Sequence, residues 1–303
     1  MERLRSLLAI ATVAAVGACT GGESREAADE PVIVTHVGFK TPESVLHDPL
    51  ADVYLVSNIN GGPLDKDDNG FISRVAPDGT VLDLRWIDGA NADVTLNAPK
   101  GMAIKQDTLF VADIDAVRMF DRRTGAALGT RQITGATFLN DMAVGPDGAV
   151  YVTDSGLKAG TEGFEPSGTD AVYKFAQDGQ PLALVSGAAL GRPNGIVVDG
   201  ERVVVVTYGS GRVFLVQRLS GQVSGLPAPE QGSLDGVVAI GGGDYLIASW
   251  DAQAVYRLGA GGQYTIAVDS VEAPADIGYD TKRNRVLIPL FMADRVEFVP
   301  LSH

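Results

Sequence analysis

The sequence predicts an all-β protein: a six-bladed β-propeller with four antiparallel strands per blade. Three observations carry this. A short phrase returns along the chain as Pro42-Glu43-Ser44-Val45, Pro99-Lys100-Gly101-Met102, Leu139-Asn140-Asp141-Met142, Pro193-Asn194-Gly195-Ile196, Leu234-Asp235-Gly236-Val237 and Pro274-Ala275-Asp276-Ile277. Its second residue varies, and successive copies lie 57, 40, 54, 41 and 40 residues apart, close to the length of a propeller blade. Each copy opens a series of short β-branched or aliphatic runs punctuated by turn signals such as Pro77-Asp78-Gly79 and Pro146-Asp147-Gly148. The 37 glycines and 45% hydrophobic residues suit many short buried strands joined by tight turns, and they exclude a disordered chain. A length of 303 residues would allow two domains, but the repeat makes one propeller, expected over residues 32–303.

Before the repeat, Arg3 and Arg5 precede a short apolar run at 7–16, and Val16-Gly17-Ala18 leads into Cys19. The run is short for a bilayer span and has the three-part form of a secretory signal at 1–18. Its end resembles the lipobox of bacterial lipoproteins, in which cleavage leaves a lipidated Cys, here Cys19. The resemblance implies a cell-envelope protein anchored by lipid on a periplasmic or extracellular face, or a secreted one if Cys19 is not lipidated. Cys19 is the one cysteine, so no intrachain disulfide closes the ring. Residues 19–31 are largely polar and acidic and read as a flexible tether. With 24 Lys and Arg against 38 Asp and Glu, the net charge of −14 excludes nucleic acid as a partner; the membrane is met through the anchor alone, and a monomer is expected.

Taken in order, the first blade reads as strands at 44–47, 53–57, 71–75 and 81–86, and the second at 101–105, 108–112, 116–121 and 128–133. The third reads at 141–144, 149–153, 171–175 and 181–185, the fourth at 195–198, 202–207, 212–217 and weakly at 222–224. The fifth reads at 236–240, 244–249, 254–258 and 263–268. The sixth has only 276–279, 285–290 and 295–299, so the alternating run 32–37 is expected to supply its outer strand.

Strand order then places the chemistry. The varied residue stands just before the innermost strand, so Glu43, Lys100, Asn140, Asn194, Asp235 and Ala275 should ring one mouth of the central channel. The long connections 59–70 and 155–169, and the second-strand ends Asn58, Asp113, Asp154, Tyr208 and Trp250, fall on the same face, where ligand sites form. Glu43, Asn194 and Asp235 are hard oxygen donors with no Cys or His beside them, a set suited to Ca²⁺, with Mg²⁺, Mn²⁺ or Zn²⁺ as other divalent ions.

These segments resemble the gluconolactonase and regucalcin-like family of six-bladed propellers over roughly residues 32–300. The family's metal is held by a Glu in the first blade, an Asn in a Pro-Asn-Gly or Ser-Asn-Gly segment and an Asp in an Asp-Gly segment, which match Glu43, Asn194 and Asp235. Its substrate-side Asn-Asp pair matches Asn140 and Asp141. The resemblance implies a lactone or ester hydrolase acting on a small molecule, with Asp235 or a water it activates as the catalytic group. Two departures stand out: Phe138 occupies a position where many sugar lactonases carry Arg, and Lys100 is foreign to the sugar enzymes, so it either binds substrate or pairs with Glu43. A noncatalytic envelope propeller that binds a ligand or protein on the same face is the alternative. Asp65-Lys66-Asp67-Asp68-Asn69-Gly70 resembles the start of a calcium loop, but Ala76 stands where a bidentate Glu belongs, so an acidic loop tip is expected. His47 is expected in a turn beyond the first strand.

Overall fold

The computed structural model describes residues 30–161, 163–175 and 179–302. Six four-stranded antiparallel sheets are the blades of a β-propeller. The first five blades run through the sequence from the channel outwards, with inner strands Pro42–Asp48, Pro99–Lys105, Leu139–Val144, Pro193–Asp199 and Leu234–Gly241. Second strands are the most buried: Val53–Asn58, Val150–Asp154 and Arg285–Leu290 have no exposed residue. They are flanked on both faces by neighbouring blades, which is why a strand such as Arg202–Thr207 reads as a continuous β-branched run instead of an alternating one. Outer strands lie at the rim, and Ala127–Gln132 is exposed throughout.

The hydrophobic core is divided among the blade interfaces. Leu55, Ile72 and Ile87 of the first blade pack on Leu109, Val111 and Phe120 of the second; Val203 and Phe214 of the fourth pack with Tyr151 and Val172 of the third. The interface that closes the ring joins Val45, Tyr54 and Val56 to Leu287, Val296 and Phe298, with Val34 beside them. Closure depends on the outer strand of the last blade, Val32–Val34, which pairs antiparallel with Arg295–Pro300 in the register Val32 to Phe298 and Val34 to Val296. The expected closing strand is therefore present, though shorter than 32–37: His36, at φ 58°, and Gly38, at φ 105°, are left-handed and turn the chain out of the sheet.

A polar network reinforces the same seam. Tyr54 Oη donates to Asp280 at 2.5 Å and accepts from Arg285 Nε at 2.9 Å. Arg283 joins Asp52 at 2.7 Å and Asp280 at 2.8 Å, and its hydrogen bonds, with one from Lys282, hold the Asp52 carboxyl far below the usual carboxylate range. His47 lies within the first inner strand, not in a turn, because that strand continues to Asp48; its ring packs edge-on against Tyr54.

Two further differences from the sequence reading bear on the site. Connection 155–169 contains a hairpin, Leu157–Gly160 with Gly163–Pro166, and the inner strand of the last blade is shortened to Gly278–Asp280. The expected signal at 1–18, Cys19 and the tether before Glu30 lie outside the described residues.

Deleting residues 31–35 removes the closing pairing and exposes the edge of Arg295–Pro300. Calorimetry should show a fall in Tm of roughly 10 °C, corresponding to a few kcal/mol in a domain of this size. An unchanged Tm would mean that the ring is held shut without this strand.

Candidate functional site

Five inner strands begin with a fault in their pairing. Register breaks between Pro42 and Ser44, Pro99 and Met102, Leu139 and Met142, Pro193 and Ile196, and Leu234 and Val237. Each break is a β-bulge, which leaves an extra residue unpaired and re-aims its side chain. Glu43, Lys100, Asn140, Asn194 and Asp235 are the residues so placed, and all five are at most 5% exposed. In the last blade the same one-residue offset separates the bridge Pro274–Leu290 from the pair Gly278–Leu287, but the residue there, Ala275, brings no donor.

The glycine that follows three of them has a steric cause. A Cβ on Gly195 would stand 2.3 Å from the carbonyl oxygen of Asp235, and one on Gly236 would stand 2.3 Å from the amide nitrogen of Ile277. Neighbouring inner strands thus meet backbone to backbone at this level. Where the position is not glycine it carries Ser44, Asp141 or Asp276, and these bond across the seam: Ser44 Oγ donates to Asp276 at 2.5 Å, and Asp141 accepts the N–H of Ile196 at 2.7 Å and that of Met142 at 2.5 Å. Asp141, expected on the substrate side, has its oxygens engaged by backbone. With Ser44 and Asp276 it also lines a cavity of about 420 Å³ whose other walls include Val45, Met142, Ile196 and Val237.

Electrostatics couple the two layers. Burial raises the Glu43 carboxyl well above its usual range, the charges of Asp235 and Asp276 push it further, and Lys100 opposes them. Asp235 is raised by burial and then by Asp276; the Trp250 indole N–H, aimed at it without completing a hydrogen bond, partly offsets this. Asp276 is pushed by burial up to about 7, against hydrogen bonds from Ser44 and Asp141, while Asp141 is raised by burial and by Asp276. Sequence reasoning missed Asp276. The signal was available, since a carboxylate stands there at the repeat position that holds glycine in three other blades.

Among the described residues, the buried side-chain oxygens without a hydrogen-bond partner include four of the ring, Glu43 Oε2, Asn140 Oδ1, Asn194 Oδ1 and Asp235 Oδ1; Asn69 Oδ1 and Tyr151 Oη are two others outside it. The four in the ring lie at equivalent positions of four blades, and oxygens left bare together in a buried site are the pattern expected around a cation or a tightly held water. Asn140 donates from Nδ2 to Ser155 Oγ at 3.1 Å, which leaves its oxygen as the open group. Among the described residues no cluster of three or more His, Cys, Asp or Glu side chains is spaced for a metal; two of the four open oxygens here are amides. The donor set still fits a hard divalent ion, two carboxylates supplying the charge and amide oxygens the neutral ligands.

Lys100 differs from its ring neighbours. Its Nζ donates to the carbonyls of Pro63 and Ala98, both at 3.0 Å, and lies 4.6 Å from the Phe138 ring centroid. Burial lowers its pKa to about 8, against the pull of Glu43 and Asp113. It therefore ties connection 59–70 to the channel mouth. Second-strand ends fix the segments entering the inner strands: Asp113 accepts the N–H of Asn97 and Ala98, and Asp154 those of Thr137 and Phe138. Tyr208, Trp250 and Phe291 form a row of rings with centroids 5.6 and 5.3 Å apart.

This architecture is shared with solved structures. A gluconolactonase from Xanthomonas campestris superposes with a TM-score of 0.69 at 20% identity, covering 89% of each chain. A structure assigned as a gluconolactonase gives 0.65 at 16% identity, covering 88% of this chain and 92% of that one. A virginiamycin B lyase from Staphylococcus aureus gives 0.64 at 12% identity, covering 90% of this chain and 99% of that one. At these identities the likeness establishes the propeller fold. No protein-family model and no curated protein matches the chain.

The raised carboxyls make a prediction with a definite sign. The folded state retains protons on Glu43, Asp141, Asp235 and Asp276 that the unfolded chain releases. Their contribution to stability is full below the unfolded pKa of about 4 and is lost as pH rises through the folded values. Between about pH 5 and 7, below most of the range in which Lys100 titrates, Tm in chelator should fall by several degrees. Saturating Ca²⁺ should raise Tm more at the upper pH than at the lower. A flat Tm that ignores Ca²⁺ at both would contradict this account of the ring.

Proposed function

We propose that the ring is a divalent-cation centre at which a lactone or related ester is hydrolysed. The observation that carries this reading is the set of four donorless buried oxygens at bulge positions. Glu43, Asn194 and Asp235 would hold the ion, with Ca²⁺ the best match to the oxygens and Mg²⁺, Mn²⁺ or Zn²⁺ as alternatives. When bound, such an ion polarises the ester carbonyl and stabilises negative charge on its oxygen.

The chain's own groups do the rest. Asp235 is the carboxylate beside the Trp250 indole, in a buried site that raises its basicity toward that of a working general base. It takes a proton from water as the water oxygen bonds to the carbonyl carbon, and the proton then passes to the ring oxygen as the acyl C–O bond breaks, giving the hydroxy acid. Asn140, its amide nitrogen held by Ser155, orients water or substrate by accepting a hydrogen bond. Lys100 positions the mouth loop, and its remaining N–H is available to a substrate oxygen.

The fold by itself does not choose the chemistry, since it resembles both gluconolactonases and a lyase. The donor set favours the hydrolase. The second reading is a noncatalytic envelope propeller binding a ligand on the same face, favoured by the engagement of Lys100 with Pro63 and Ala98. For either reading we place the protein in the cell envelope through Cys19, as a monomer.

Assays on a lactone panel with each of the four ions separate the two. Asp235→Asn keeps an oxygen ligand but loses the base, so kcat should fall by about 10²–10⁴ while ion affinity falls much less. Glu43→Gln should weaken ion binding foremost, as read by calorimetry. Absence of ion binding at millimolar concentration, together with no hydrolysis anywhere on the panel, would leave the noncatalytic propeller.

A further inference from the structure

The connections at the mouth of the ring carry two groups of packed aromatic side chains. Tyr208, Trp250 and Phe291 follow the second strands of three successive blades and stand edge to face or tilted, with Trp250 directed at Asp235. Phe291 continues into a patch with Leu64, Ile59, Ala98 and Ile114, so the row joins the connection that Lys100 holds down. On the third blade, Phe138 lies under the Lys100 ammonium and meets Phe164 at 5.9 Å between centroids, nearly at right angles. Phe164 comes from the hairpin Leu157–Gly160 with Gly163–Pro166, and it is 50% exposed, an aromatic ring packed on Phe138 with an open face.

The polar side chains at the ends of the first three second strands are already engaged. Asp113 serves Asn97, Ala98 and Arg118; Asp154 serves Thr137, Phe138 and Gly156; Asn58 serves Lys40. A sugar lactone brings several hydroxyls, each of which needs a partner once it leaves water, and this wall has few to give. An alkyl or aryl substituent needs none and gains from burial against aromatic faces.

We infer that the substrate of this site is a lactone or ester bearing an apolar side group, received by the aromatic wall of Phe138, Phe164, Tyr208, Trp250 and Phe291, and not a polyhydroxylated sugar lactone. This rests on the hydrolase reading above. The acyl carbonyl lies at the ring of oxygens, and the side group lies against the wall, under the hairpin that carries Phe164. Phe164 is a specificity residue here: it selects the side group and takes no part in bond making.

The test uses the full protein with Ca²⁺ and three lactones of one ring size: δ-gluconolactone, δ-decalactone and unsubstituted δ-valerolactone. The expected result is a kcat/KM for δ-decalactone at least tenfold above that for δ-gluconolactone. In Phe164→Ser, KM for δ-decalactone should rise several-fold more than KM for δ-valerolactone; the loss of an exposed ring from a hairpin leaves the blades intact, which circular dichroism checks. Preference for δ-gluconolactone would overturn this inference and leave the hydrolase reading standing. Equal KM changes for both lactones in Phe164→Ser would overturn the role of the wall. No hydrolysis of any of the three by protein that binds the ion would overturn the hydrolase reading, and this inference with it.

Discussion

Neighbouring inner strands approach so closely at one level of the channel that no Cβ fits between several of them. Gly195 faces the backbone of Asp235 and Gly236 that of Ile277, each at a distance no side chain could occupy. Six blades can converge on one axis only if the strands either give up a side chain there or bond through it. The bulge at the start of five inner strands is the companion of this packing. It inserts the residue that cannot lie in the crowded seam and turns it toward the channel, so a requirement of closure produces a ring of channel-facing functional groups.

What the ring carries is then at odds with the stability of the fold. Glu43, Asp141, Asp235 and Asp276 are all raised by burial, three of them further by neighbouring carboxylates, and Lys100 is the cation that opposes Glu43. Buried carboxylates without matching charge disfavour the folded state as they ionise, and a functional site is where such a cost is retained. The surrounding scaffold can bear it. Interfaces such as Val45, Tyr54 and Phe298 at the closing seam, with the Tyr54, Asp280 and Arg285 network beside them, hold the blades together independently of the ring. That separation lets the mouth vary its chemistry, and here the variation runs to aromatic side chains on the connections.

Much of this was legible in the chain. The period of the repeat gave the blades, and the strand missing from the last blade pointed to the run beginning at Val32, because an open edge has to be paired. The ring residues could be found because they vary within an otherwise regular phrase. Asp276 escaped because its copy of the phrase has Ala275 at the ring position and reads as the start of a strand, whereas regular pairing begins only at Gly278. The hairpin bearing Phe164 is hidden in Leu157–Gly160 and Gly163–Pro166, where the glycines and charged residues give no alternation. The tie from Lys100 to Pro63 was beyond reach for another reason: it depends on where a loop folds back, which no local pattern encodes. The closing strand reads longer in the sequence than it is in the fold, because nothing in the sequence marks His36 as left-handed.

The central claim is that one cation is held by oxygens which blade packing has turned into the channel. Crystals soaked in Ca²⁺ and measured at long wavelength test it most directly through the anomalous signal. The account predicts one peak in the channel mouth, with Glu43, Asn194 and Asp235 oxygens at roughly 2.3–2.6 Å from it. Ring oxygens bridged by water alone at saturating Ca²⁺, or a peak confined to the acidic loop at Asp65, would contradict it.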